Sequence, residues 1–237
     1  MIPLMDISPR IPYIVIVFQN ELKTREIPLF RGAVLSKVPV ELTLFHNHKD
    51  KSFRFSYPLI QYKTISGKAA ILCIGEGTSE IEQFFSNSDF KLQIGKREEV
   101  FTIDKIWAGQ WLIQTWDGTF YYTTRHWLPF NKTNYSKYQG CEGLSEKTKA
   151  LERILAGNIL SMGKGLGHFF VNQVQCTITQ LYNARTYSFK DVLLQGYDID
   201  WKTNLYIPNY IGLGKGSSIG FGVTRENNTQ RYERHKR

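Results

Sequence analysis

Two histidines separated by one residue, His46 and His48 in Leu44-Phe45-His46-Asn47-His48-Lys49, are the residues of this 237-residue chain best suited to acid-base chemistry. Imidazole titrates near neutral pH, so one ring can take a proton while another group donates one. Residues i and i+2 of a strand face the same side, so the spacing predicts that both rings share one face at a strand's polar end. Two histidines at this spacing could instead bind a metal, but no carboxylate or thiol motif stands near to complete a ligand set. The plain alternative is a solvated strand end.

A second cluster with chemical potential is Gly212-Leu213-Gly214-Lys215-Gly216-Ser217-Ser218-Ile219-Gly220-Phe221-Gly222-Val223. Glycine permits positive φ and close approach of backbone to a ligand, so such a loop can aim N–H groups at a phosphate, with Lys215 adding a charge. It is not a nucleoside-triphosphate loop, because Gly216 replaces the Ser or Thr after Gly-Lys and no helix pattern follows. The plain alternative is a long hairpin with glycines at bulges. The remaining histidines offer less: His126 lies in an aromatic strand, His168 in a loop at a helix end, and His235 in the basic run 231–237.

Lys and Arg number 30 against 21 Asp and Glu, a formal charge of +9, and the chain carries 5 Trp, 13 Tyr and 15 Phe. Cations attract phosphates and aromatic rings stack on unpaired bases, so nucleic acid is the expected partner. Cys73, Cys141 and Cys176 are far apart and outside any C-x-x-C pattern, which argues against a disulfide framework or a structural zinc. The apolar run 11–18 is too short to span a bilayer and the segment before it lacks a basic signal start, so a cytoplasmic protein is expected.

The elements that must hold these groups can be traced along the chain. The β-branched run Ile11 to Phe18 predicts a central strand buried on both faces. Pro28 and Pro39 bracket a short helix over Phe30 to Lys37, with Lys37 in its last turn. Strand patterns follow from Glu41 to about Gly75: Leu42 and Leu44, then Phe53, Phe55 and Tyr57, then 70–74, with turns at Asp50-Lys51 and Ser66-Gly67. Ile81, Phe84 and Phe85 fall at i, i+3, i+4 and predict a helix capped by Thr78 or Ser79, followed by a strand near Phe90 to Ile94. This βαββαβ order is that of a ferredoxin-like domain. Beyond Trp107 come an aromatic-rich stretch, a polar loop over 131–144, one clear helix from Ser145 to Met162, and strands to Val223. The polar tail is expected to be disordered.

Gly-x-Gly, a short polar stretch and Gly-Phe-Gly ahead of a terminal strand resembles the signature of the repeat-associated RAMP superfamily of CRISPR-associated RNA-binding proteins. Together with Phe30-Arg31-Gly32-Ala33 and Tyr57-Pro58-Leu59-Ile60-Gln61-Tyr62-Lys63, the loop looks like the Cas-six type endoribonuclease, b-type subgroup, which cuts CRISPR repeat RNA. The resemblance implies an α+β fold of two tandem ferredoxin-like (RRM-like) domains with antiparallel sheets. Residues 1–107 would carry the active site, 108–224 the glycine loop, and 225–237 the tail. It implies cofactor-free, metal-independent cleavage of precursor crRNA within each repeat by 2′-OH attack, giving a 2′,3′-cyclic phosphate and a 5′-OH. The b-type relatives place a histidine pair after the first helix, with a lysine upstream and a tyrosine downstream. These map onto His46, His48, Lys37 and Tyr57, with Tyr62 a comparable tyrosine. The lysine would neutralise the phosphate in the transition state; its plain alternative is a cation at the helix C-terminus. RNA contacts are implied at Gly212, Gly214, Lys215, Gly216, Ser217, Ser218, Gly220, Phe221 and Gly222. CRISPR repeat RNA is the expected partner and CRISPR effector subunits are further partners. The alternative is a non-catalytic RNA-binding RAMP subunit of an effector complex, and the histidine pair is the discriminating feature.

Overall fold

The structure is a computed structural model that describes residues 9–39, 41–46, 48–49, 52–53, 57–87, 89–189 and 192–228; for 46, 48, 49, 52, 53 and 87 it describes the backbone alone. In chain order its first half comprises β1 (Arg10–Glu21), α1 (Ile27–Leu35), α2 (Thr43–His46), β2 (His48–Lys49), β3 (Ser52–Phe53), β4 (Ile60–Ile65), β5 (Lys68–Ile74), α3 (Gly77–Asn87), β6 (Lys91–Ile94), β7 (Arg97–Val100) and β8 (Ile103–Leu112). The second half comprises β9 (Thr115–Trp127), α4 (Lys132–Gln139), α5 (Gly143–Gly165), β10 (Cys176–Leu181), β11 (Arg185–Phe189), β12 (Val192–Leu205) and β13 (Val223–Glu226). Most of the expected tail, 229–237, and the expected Asp50-Lys51 turn lie outside the described residues.

The first sheet has the order β4-β5-β1-β8 with antiparallel neighbours, so β1, α1, β4, β5, α3 and β8 trace the expected βαββαβ path. Its centre is the β-branched run of β1, whose alternate side chains point to opposite faces. Ile16 and Phe18 join Ile71 and Cys73 in a core beneath α1 and α3, while Val15 and Val17 join Ala70, Leu72 and Ile74 in a second core. The fourth strand of the sheet is β8 and not the segment near Phe90 to Ile94. That segment forms β6, four residues long, and closes on β7 as a separate hairpin, whereas β8 pairs with β1 from Leu112 back to Ile103. The longer ladder takes the place beside the central strand. Helix α1 begins earlier than expected, with Pro28 in its first turn, where a missing N–H is harmless. The Thr78 hydroxyl donates to the Gly75 carbonyl and is not the expected helix cap.

The second sheet repeats the arrangement as β10-β12-β9-β13, with β11 added through β12. Here β9, α5, β10, β12 and β13 supply five of the six ferredoxin-like elements. Where the second helix would run, Tyr206 to Gly222 forms turns and extended backbone, because Pro208 and five glycines forbid a stable helix. The expected loop over 131–144 contains α4, capped by the Asn131 side chain, which accepts from the Asn134 N–H at 2.9 Å. Leu151, Leu155, Ile159 and Met162 of α5 pack into the same core as Val15 and Leu72 of the first sheet and Trp127 and Trp201 of the second. Both sheets therefore share one hydrophobic interior. Among the described residues no helix is long and apolar enough to cross a membrane.

Candidate functional site

The histidine pair lies between α1 and β4, but not on one strand. His46 closes α2 and His48 opens β2, where it stands opposite Phe53. The expected strand spacing does not hold, and the argument for a shared strand face falls with it. Leu42 and Phe45 are both buried in the first core, and this three-residue spacing selects helix over strand; Leu44, which alternates with Leu42, is only partly buried. The Glu80 carboxylate on α3 closes the turn, accepting the Leu44 N–H at 3.2 and 3.1 Å and the Phe45 N–H at 3.3 Å. The imidazoles themselves fall outside the described side chains.

Lys37 stands two residues beyond α1, not in its last turn, and its Nζ contacts the two carboxylate oxygens of Asp89 at 2.9 and 3.2 Å. The hydrogen bond from Lys37, together with the Lys91 N–H, holds the Asp89 carboxyl below its usual range. Tyr57 is buried where the two halves meet. Its hydroxyl donates to the Gly212 carbonyl at 2.8 Å and accepts from Gln61 Nε2 at 2.8 Å. Burial pushes this phenol well above the usual tyrosine range. Tyr62 is buried in the first core, edge-on to Phe30, and its hydroxyl has no hydrogen-bond partner among the described residues.

Gln61 and Lys63 extend the polar seam around Tyr57. They share a face of β4 with two-residue spacing, and both are fully buried. Gln61 Oε1 accepts from the Gly212 N–H at 2.9 Å and from Lys63 Nζ at 2.9 Å. Lys63 Nζ also donates to the Tyr210 carbonyl. Burial, with the Arg225 charge adding to it, pulls the Lys63 ammonium down to about 7. Three side chains at and before β4 thus hold the backbone of residues 210–212.

The glycine loop is built into this join. Gly212 pairs with Val223, and Ile219 bridges Tyr62 in parallel, so the loop runs along the outer edge of β4. The N–H groups of Gly212, Leu213, Lys215, Ile219, Phe221 and Gly222 all donate inside the protein. Two of its glycines are set by the chain's own backbone. Gly222 has φ +63° and a Cβ there would overlap the Leu213 carbonyl; Gly214 has φ +81° and a Cβ would lie 2.9 Å from the Leu128 carbonyl oxygen. Ser217 is buried, Ser218 and Phe221 are half-buried, and Lys215 is the loop's exposed group, with Nζ 5.6 Å from the Phe189 ring centre.

Two arginines escaped the sequence reading. Arg125 and Arg225 lie on the sheet face opposite buried Thr124 and Thr224 and flank a cleft of about 570 Å³, whose far side is Thr24, Ile27 and Thr64 of the first half. Arg125 sits over the Tyr182 ring at 5.0 Å and 3.5 Å from Asp200. Arg225 sits over the Tyr210 ring at 4.9 Å, and that ring stacks on Trp107 at 6.1 Å. A guanidinium held on an aromatic face keeps edge donors available for phosphate, although one Arg125 nitrogen is shared with Asp200. The available signal was alternation: in both Thr124-Arg125 and Thr224-Arg225 a threonine precedes a cation within a strand.

The model of the Cas6b N-terminal domain matches residues 9–109, and that of the Cas6b C-terminal domain matches residues 114–227. The chain belongs to the Cas6b family. A solved Cas6b structure superposes on it with a TM-score of 0.83 at 27% identity, covering 92% of this chain and 100% of that one. A structure described as the CRISPR RNA processing endoribonuclease Cas6b gives 0.70 at 24% identity with the same coverage. A RAMP protein described as binding different RNA substrates gives 0.55 at 12% identity, again over 92% of this chain and 100% of that one. These last two show the shared fold. An uncharacterized protein of Methanocaldococcus jannaschii, MJ0978, is 33% identical over 96 residues, or 40% of this Cas6b-family chain, which spans 64% of that relative's length.

Proposed function

We propose that this protein is an endoribonuclease that binds CRISPR repeat RNA and processes precursor crRNA by cutting within each repeat. The observation that carries the reading is the match to both Cas6b domains in a chain whose histidine pair stands between α1 and β4. In this reading one of His46 and His48 takes the proton from the 2′-hydroxyl beside the scissile phosphate. The freed oxygen attacks phosphorus, the bond to the 5′-oxygen breaks, and a second group returns a proton to that oxygen. The products are a 2′,3′-cyclic phosphate and a 5′-OH, with no metal required. Lys37 can neutralise the phosphate once RNA displaces Asp89, and Lys215, Arg125 and Arg225 supply cations along the bound strand.

Repeat RNA incubated with the protein in excess EDTA is the decisive test. Cleavage should persist, with cyclic-phosphate ends, and RNA carrying a 2′-deoxy group at the cut site should bind but stay intact. His46→Ala and His48→Ala should each lower the single-turnover rate by about 10²–10⁴-fold, unequally, with affinity retained. Activity lost in EDTA and restored by magnesium would overturn the chemistry. Binding without cleavage would favour a non-catalytic RNA-binding subunit, a reading supported by the burial of Tyr57 and the pairing of Lys37 with Asp89.

A further inference from the structure

Glu80 belongs to none of the candidate sets, yet its carboxylate holds the short helix that ends in His46. Helix α2 has four residues, far too few to persist on its own propensity. At its start the Phe45 N–H is shared between the Leu42 carbonyl, at 3.2 Å, and Glu80, and the Leu44 N–H is met by the carboxylate. A carboxylate at this end also complements the helix dipole. Four residues further along α3, and so on the same face, Phe84 packs its ring against Phe45 at 6.1 Å. Both rings are buried in the first core. Helix α3 therefore grips α2 at an apolar point and at a charged one, and the gripped residue Phe45 is bonded directly to His46.

The apolar contact fixes how deep α2 sits, but a ring contact leaves rotation about the helix axis weakly determined. The carboxylate removes that freedom, because its oxygens must meet two consecutive N–H groups. We propose that Glu80 is a positioning residue for the histidine pair: it sets the orientation of α2, whose last backbone position is that of His46, and with it the placement of that position relative to α3. The assignment rests on the proposed catalytic role of the pair. Glu80 acts through the backbone of α2 rather than by touching the RNA, so it should matter for rate and not for binding. Displacing a reacting group by about 1 Å can cost about 10²-fold in rate.

The test compares Glu80→Ala, which removes the grip, with Glu80→Gln, which keeps the length and one acceptor oxygen but loses the charge. For each full-length variant the melting temperature, the affinity for repeat RNA and the single-turnover rate at saturating RNA would be measured well below melting. Affinity should stay within about twofold, while the rate falls about 10- to 100-fold in Glu80→Ala and less, about 3- to 10-fold, in Glu80→Gln. A purely structural role predicts a lower melting temperature with the native rate at saturation, and that result would overturn the proposal. If Glu80→Ala does not fold, a folded Glu80→Gln cutting at the native rate overturns it equally. His46→Ala and His48→Ala in the same assay separate the two levels. If both cut at the native rate, the catalytic reading of the pair fails. If they are slow while both Glu80 variants are not, only the role of Glu80 fails.

Discussion

The Tyr57 hydroxyl donates to the Gly212 carbonyl from a buried position, so its removal should weaken the join between the halves rather than the chemistry. Tyr57→Phe leaves a buried carbonyl and the Gln61 amide short of a partner, at about 1–3 kcal/mol. In a chain of this size each kcal/mol lowers the melting temperature by about 2–4 °C. The single-turnover rate at saturating RNA should stay within about twofold. A slow variant with native stability would instead assign the phenol to catalysis. Lys215 has the opposite character: its side chain is exposed and its contact is a surface one, with the Phe189 ring at 5.6 Å. Lys215→Ala should leave the melting curve unchanged and reduce the slope of log affinity against log salt by less than about 1. An unchanged slope would remove this residue from the RNA contact.

Strand β4 carries a buried lysine that makes stability depend on pH. Lys63 titrates near 10.5 when solvated and about 7 when buried in the folded chain. Between those values the unfolded chain binds a proton that the folded one does not, so stability rises with pH across about 7 to 10.5 and is flat in this respect below 7. Thermal melts from pH 6 to 10 should show the wild type gaining on Lys63→Met across that window. Parallel curves would mean that Lys63 keeps its charge when buried. The same element explains why the glycine loop cannot be probed through its glycines. Ile219 pairs with Tyr62 of β4, and Gly220 has φ +87° with a Cβ there lying 2.6 Å from Ile27 Cδ1 of α1, so a Gly220 variant reports on folding before it reports on RNA.

One of the two cores is shared by both halves of the molecule. Val15, Leu72 and Ile74 of the first sheet share a core with Leu155 and Ile159 of α5 and with Trp127 and Trp201 of the second sheet. Expressed alone, residues 1–113 would expose that face, and each buried aliphatic left in water forfeits about 1.5–3 kcal/mol. The isolated halves should aggregate or melt far below the full chain, and co-expression should recover a stable complex. Two independently soluble halves with native-like melting would contradict the shared core.

The sequence by itself determined the elements whose signals are local. The β-branched run of β1, the three- and four-residue spacing of Ile81, Phe84 and Phe85 in α3, and the long amphipathic α5 are each legible because neighbouring residues encode the period. The cationic excess and, through resemblance, the family were legible too, whereas the strand placement of the histidine pair was not. Tertiary structure decided what depends on distant partners. Leu42 and Leu44 alternate like a strand, and only Phe84 and Glu80, nearly forty residues away, make Phe45 the third apolar contact of a helix. Tyr57 resembles an active-site group until the Gly212 carbonyl arrives to bind it. Competition for the edge of β1 placed β8 there and left β6 to pair locally. In each case the deciding energy lies in a contact between segments far apart in the chain, which local periodicity does not record.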